Sequence, residues 1–394
     1  MSHPSETAVS IATSAENAAV PSVRLISLDV FRGATIAFMI VVNTQDEEVA
    51  YWPLKHARWN GWTPTDLVFP FFLFIVGVAL AFSFAGRLRR GESRAALMAH
   101  VLRRGMILFA IGLFLNGFGA RFHLDTWRIY GVLQRIAICY VITAFLVLWS
   151  RRNGQLAAVA ATCLVSYWIL MRYVPVPGFG VPTRDIPLLD PDRNLAAWLD
   201  RKLLMGHLYE GTRDPEGVLS TIPAVATTLL GVLTGQWLRT DHSIAAKTAG
   251  MFAAGFAGFC AGEFLNFWFP INKRLWTSSY VLLTAGLALM SLALLYWLID
   301  GRQKRGPWTK PFVIFGMNAI TAYVFAQVLA IVLFGVNVRL TDGSTISAGE
   351  FVNERFFVPL ASPANAAVLF SIVFLLVCLA AMWILYRKKI FLKI

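Results

Sequence analysis

Ten apolar runs of about twenty residues follow one another along this chain of 394 residues. A helix of that length reaches about 30 Å, the thickness of a bilayer's hydrocarbon core. A membrane barrel would instead show short segments of alternating polarity. The pattern therefore predicts an all-α polytopic membrane bundle. The runs lie at Leu25–Asn43, Thr65–Phe84, Val101–Phe118, Ile129–Trp149, Leu156–Tyr173, Val218–Leu238, Ala245–Phe267, Trp276–Ile299, Pro311–Val336 and Ala364–Tyr386. Charged residues make up only 14% of the chain. Soluble domains carry about a quarter, so most of this chain has lipid as its solvent.

The net charge of +13 does not point to nucleic acid. The basic residues gather in short loops, at Arg87, Arg89, Arg90, Arg94, Arg103 and Arg104, at Arg151 and Arg152, at Arg302, Lys304 and Arg305, and in the tail at Arg387, Lys388, Lys389 and Lys393. The positive-inside rule places that side in the cytoplasm. An even number of spans then puts both termini there. The long segment 173–216, rich in Pro and Asp, falls on the opposite side. Residues 1–22 read as a disordered cytoplasmic tail, and 23–394 as one transmembrane domain. Four cysteines lie within apolar runs and read as unpaired core thiols. No Cys or His spacing suits a metal. Gly258 and Gly262 have small-xxx-small spacing. That spacing suits close packing within the bundle, with a homodimer face as the second reading.

Polar groups inside or at the ends of spans are expensive and mark candidate sites. Asp29 and Arg32, three apart, share a helix face with Arg24 nearby. They form either an ion-paired anchor at the headgroups or a grip for an anionic cofactor entering from the cytoplasm. Asn43 closes the same run. The stretch Lys55-His56-Ala57-Arg58-Trp59-Asn60-Gly61-Trp62 sits between two apolar runs. Its imidazole can accept a proton or attack an acyl carbon near neutral pH. Arg135, inside an apolar run beside Gln134, needs an interior partner, and Asp66 or Asp125 is expected to supply it. Asp214 and Glu216 precede the sixth run. Asn272 and Lys273 stand in a tight turn, and Asn318 places an amide within the ninth run. Asn43, His56, Glu216 and Asn272 all fall on the outer side, where one mouth can collect them.

Taken in order, these pieces resemble the heparan-α-glucosaminide N-acetyltransferase family. The matching segments are Ser27 to Gly33, Lys55 to Gly61, Asp66 to Pro70, Gly131 to Arg135, Asp214 to Gly217, Pro270 to Lys273 with Leu275-Trp276, and Gly316 to Asn318. Each alone is weak, and the ordered set is specific. The resemblance implies a multi-span enzyme that takes acetyl-CoA at the cytoplasmic face and acetylates an amino sugar on the far side. It implies His56 as catalytic base or acetyl carrier, assisted by Asn43. Arg24, Asp29, Arg32, Gln134, Arg135 and Asn318 would bind the acetyl-CoA. Trp59, Asn60, Asp214, Glu216, Asn272 and Lys273 would bind the acceptor. No metal is implied. The short form is similar to bacterial members, which implies a bacterial cytoplasmic membrane. Membrane lipid and a glycan acceptor are the expected partners. Two other readings remain open from the residues: a small-solute transporter, and an O-acetyltransferase acting on an envelope glycan.

Overall fold

The computed structural model describes residues 25–150, 152–340 and 343–392. Residues 1–22, Arg24, Arg151 and Lys393 lie outside the described residues. The long helices are α1 (Ile26–Asn43), α2 (Val68–Arg89), α3 (Arg94–Gly119), α4 (Val132–Trp149) and α5 (Asn153–Tyr173). A shorter α6 (Leu195–Leu204) interrupts the loop before α7 (Thr221–Leu238), α8 (Ile244–Leu265) and α9 (Ser278–Leu295). The chain ends with α10 (Thr309–Met317), α11 (Ala319–Gly335), a two-stranded hairpin of β1 (Asn337–Arg339) and β2 (Thr345–Ser347), a one-turn α12 (Ala348–Val352), and α13 (Pro363–Arg387). Among the described residues nine helices are long and apolar enough to cross a membrane. The protein is an all-α polytopic bundle.

The ninth expected run is not one helix. Its halves, α10 and α11, meet at 87° with Asn318 at the break. Asn318 sits at φ −122° and ψ 38°, outside helical space. Asn competes with the helix for backbone hydrogen bonds, and its amide donates to the Ile390 carbonyl at 3.3 Å. The break leaves the last carbonyls of α10 without helical donors. Arg32 Nη1 fills one vacancy by donating to the Gly316 carbonyl at 3.1 Å.

Glycines set how closely the helices approach. A Cβ on Gly77 or Gly231 would collide with backbone of the partner helix across α2 and α7. The same holds at Gly33 and Gly316, where the backbones of α1 and α10 touch. Gly255, Gly258 and Gly262 of α8 lie against Gly286 and its neighbours on α9. The small-residue stripe thus packs inside the bundle. In a membrane, where helices gain no hydrophobic drive from each other, such close contact holds them together.

Four apolar clusters result among the described residues. One joins α2, α3, α4, α5, α7 and α9 around Leu73, Leu229 and Trp276. Another joins α1, α10, α11 and α13 around Ile36, Phe315 and Phe374. A third joins α1, α2, α7, α8 and α9 around Phe31, Phe74 and Leu292, and a smaller one packs α5 and α6 around Tyr167. One end of the bundle gathers the arginine-rich loops. The other gathers the end of α1, the starts of α2, α4, α7 and α9, and the loop carrying α6.

Because Gly231 abuts the Phe74 carbonyl, Gly231→Val forces α2 and α7 apart. Overpacking of this kind costs about 1–3 kcal/mol or more. Thermal unfolding in detergent should show a clearly lower midpoint for Gly231→Val. Gly154→Ala, where nothing lies within 4 Å of the added atom, should leave the midpoint unchanged or raise it.

Candidate active site

The loop from Asn43 to Val68 folds around one carboxylate. Thr63, Pro64 and Asp66 open a short 3₁₀ turn, with Pro64 placed where a missing N–H costs nothing. Asp66 is 1% exposed. Its Oδ2 accepts the backbone N–H groups of Ala57 and Thr63, both at 3.0 Å, and the Thr63 hydroxyl at 3.2 Å. That hydroxyl's single proton is shared with the nearer Lys55 carbonyl, at 2.6 Å. The Asp66 carbonyl receives the Tyr280 hydroxyl at 2.5 Å. Oδ1 is left for His56, whose Nδ1 lies 2.8 Å away.

Lys273 reaches the same pair from the turn before α9. Its Nζ lies 2.9 Å from Nδ1 and 3.3 Å from Nε2 of His56, and 3.4 Å from Asp66 Oδ1. The carboxylate oxygen at 2.8 Å favours the tautomer with its proton on Nδ1. Nε2 then keeps its lone pair, on a side chain 32% exposed. Burial draws the Lys273 ammonium below its usual range, and the Asp66 and Glu216 charges act in the opposite sense.

The turn itself is fixed by side chains. Asn272 Oδ1 accepts the Leu275 N–H at 2.9 Å, and its amide donates to Asn60 Oδ1 at 3.1 Å. The Gly61 N–H donates to the Ile271 carbonyl at 2.7 Å. Trp276 takes φ +53°, a region bulky residues rarely adopt. Its ring is held between Phe69 and Tyr280, and its Nε1–H donates to Thr227 at 3.2 Å.

Beside this cluster, Arg128 forks onto Asp214 at 2.8 and 2.6 Å and reaches Glu216 at 2.5 Å. Trp59 donates to the Leu189 carbonyl at 2.8 Å with the Arg213 guanidinium over its ring. A narrow pocket lies there, lined by Trp59, Asp200, Arg213, Asp214 and Arg274. Asp200 is 1% exposed and accepts the Val218 N–H at 2.9 Å. Burial pushes its carboxyl up to about 6.

The structure therefore brings together His56, Trp59, Asn60, Asp214, Glu216, Asn272 and Lys273 at one end. Asn43 is exposed at the end of α1, and among the described residues no hydrogen bond joins it to His56. Asp29, Arg32 and the α10 break at Asn318 meet near the other end. Gln134 and Arg135 do not join them, because both stand in the first turn of α4, at the His56 end. Nor does Arg135 pair with Asp66 or Asp125. It donates to the Gly217 carbonyl at 2.9 Å and to Ser220, and lies over the Trp276 ring. Asp66 already has a full set of donors, so the expected ion pair has no free acceptor there. Two residues have roles here that the sequence reading did not give them. Asp66, expected as a partner of Arg135, instead holds His56, and it stands as the last member of a Thr-Pro-x-Asp cap ten residues after that histidine. Arg128 carried no local signal beyond standing before the fourth run. Among the described residues no group of His, Cys, Asp and Glu could hold a metal ion.

Comparison with known proteins agrees with the ordered motifs. The catalytic-domain model of heparan-α-glucosaminide N-acetyltransferase matches residues 24–269. Similar curated proteins include the heparan-α-glucosaminide N-acetyltransferases of Homo sapiens and Mus musculus. The human protein is 32% identical over 428 residues, covering 94% of this chain and 60% of its own. The mouse protein is 32% identical over 366 residues, covering 78% of this chain and 54% of its own. The chain thus spans a little over half the length of these relatives.

The raised Asp200 carboxyl has a pH signature. Folding binds a proton there between the ordinary carboxylate range and about 6, so this group's contribution to stability falls as pH rises through that window. Replacing it with a neutral isostere removes the dependence. Thermal midpoints of Asp200→Asn and wild type, compared at pH 4.5 and about 7.5, should show the variant gaining on wild type at the higher pH. A difference that does not change with pH would contradict the ionisation argument.

Proposed function

The chain belongs to the heparan-α-glucosaminide N-acetyltransferase family, and from that premise we propose that it is a membrane acetyltransferase with His56 at its reacting centre. The acetyl donor is acetyl-CoA, entering at the arginine-rich, cytoplasmic end. The acceptor is the amine of a glucosamine-type sugar at the opposite end. One observation carries this reading: a partly exposed imidazole held by a buried carboxylate, with Lys273 against its ring, at the end of the bundle away from the basic loops.

The chemistry follows from the tautomer. The acceptor enters as a free amine, having shed one proton to solvent. Its nitrogen attacks the thioester carbon, and His56 Nε2 takes the second proton as the C–N bond forms. Lys273, beside the imidazole, and Asn43 supply positive potential for the oxyanion. The C–S bond breaks, and the imidazolium returns its proton to the CoA sulfur. Asp66 orients the ring and stabilises the imidazolium. Arg32, joined to Asp29 and α10, offers a guanidinium for the CoA phosphates. Asn43 stands eleven residues after Arg32, so it lies about 16 Å farther along the same face of α1. One helix therefore links the donor's entry to the reacting end.

Acetyl transfer from labelled acetyl-CoA to glucosamine, measured in proteoliposomes, tests the assignment. His56→Ala should lose roughly 10²–10⁴ in kcat, the usual contribution of a general base. Near-normal turnover would rule His56 out.

Asp66→Asn offers its amide to Nδ1 and favours the other tautomer, with the proton on Nε2. Its kcat should fall by a comparable factor, roughly 10²–10⁴. Acetyl-CoA should still raise the thermal midpoint of this variant, showing that the donor site survives. Loss of that shift together with turnover would point to misfolding in place of a tautomer effect.

A further inference from the structure

On the flank of the bundle, α4 carries Ile138, Ile142 and Leu146 at four-residue spacing, one stripe of a helix. Opposite them α7 presents Val225 and Thr221. Between the two helices and Cys163 of α5 lies a cavity of about 370 Å³, bordered toward the His56 end by Tyr130 and Val218. That volume falls within the range of small-molecule sites, roughly 300–1,000 Å³. Ile142 is 39% exposed, so the cavity opens sideways from the middle of a transmembrane helix. Only hydrocarbon surrounds that opening in a bilayer.

The far end is polar. The Val218 N–H donates to Asp200, and the Thr221 hydroxyl donates to the Gly217 carbonyl at 3.0 Å. Two residues before Tyr130 and Val218 stand Arg128 and Glu216, which pair with each other. Around this end Asp200, Asp214 and Glu216 lie among Arg128, Arg135, Arg213 and Arg274, and Arg128 already pairs Asp214 and Glu216. The amine headgroup follows from the acetyl-transfer reading, which requires an amine at this end. An amphipathic molecule lying in the cavity would thus place an amino headgroup beside the His56 cluster and its chain between α4 and α7.

We propose that the acceptor is membrane-anchored: an amino sugar on a hydrocarbon chain, whose first stretch lies in the cavity between α4 and α7. This rests on the acetyl-transfer reading above and adds the lipid character of the acceptor. An ordinary phospholipid filling the groove is the competing occupant.

The full chain in nanodiscs, supplied with labelled acetyl-CoA, can be given octyl glucosaminide or free glucosamine. The octyl acceptor should show kcat/KM higher by roughly tenfold or more, since several methylenes are buried. Ile142→Trp and Cys163→Phe narrow the cavity and should bring the ratio of the two acceptors toward one. Simple partitioning into the bilayer is the same for wild type and variants, so collapse of the ratio isolates the cavity. Equal kcat/KM for both acceptors in the wild type overturns the proposal. So does an octyl advantage that survives both substitutions, the result expected if a phospholipid fills the groove.

A photoreactive alkyl glucosaminide needs no variant. It should crosslink to peptides of α4, α5 or α7, and crosslinks found only elsewhere refute the cavity. Absence of acetylation of either acceptor sinks the acetyl-transfer reading itself, and this inference with it, a result distinct from equal turnover of both.

Discussion

The Asp66 carboxylate is the point on which the rest of the site depends. A buried carboxylate is costly unless its lone pairs are filled. Oδ2 takes two backbone N–H groups and a hydroxyl from its own loop. Those bonds close the loop between α1 and α2 into a rigid turn. Oδ1 is thereby reserved for partners outside the turn, His56 and Lys273. The same group thus shapes the backbone with one oxygen and fixes the chemistry with the other. Tyr280, donating to the Asp66 carbonyl, ties the arrangement to α9.

Bilayer physics explains why the polar groups sit at two separate ends. Between Arg32 and Asn43, α1 presents buried apolar residues such as Ile36, Met39 and Ile40. A charge placed there would lie in hydrocarbon or in a dry core. The backbone contacts made by Gly33, Gly77 and Gly231 leave little room between helices. Polar side chains therefore collect where helices end and backbone groups still need partners. Arg32 on the Gly316 carbonyl and Arg135 on the Gly217 carbonyl are two instances of one rule. Each guanidinium satisfies a carbonyl that no helix hydrogen bond reaches.

Most of the helices were legible in the sequence because hydropathy over a span is a sum, insensitive to any single partner. The break at Asn318 was less so. The amide was visible within an apolar run, but its cost is settled by the Ile390 carbonyl, 72 residues away. The Arg135 expectation failed for a related reason. Charge alone suggested a carboxylate, yet a guanidinium also bonds carbonyls, hydroxyls and an aromatic face. The candidate residues around His56 came from the ordered motifs. The pairing of His56 with Asp66 and Lys273 did not, because a separation of 217 residues between His56 and Lys273 leaves no periodic trace.

Proton placement decides what this cluster can do. Nδ1 of His56 has a carboxylate oxygen and an amine nitrogen within 2.9 Å. If Nδ1 were bare, Oδ1 of Asp66 would face a lone pair at 2.8 Å, which only a protonated carboxyl could relieve. Two backbone N–H donors on Oδ2 favour the ionised form, and an ionised Oδ1 at 2.8 Å favours the proton on Nδ1. Lys273 lies against both the Asp66 carboxylate and the ring. In the proposed reaction its positive charge stands where the oxyanion would form. The bond between Asn60 and Asn272 fastens the loop that carries His56 to the turn that carries Lys273, and so holds the two side chains together although they are distant in sequence.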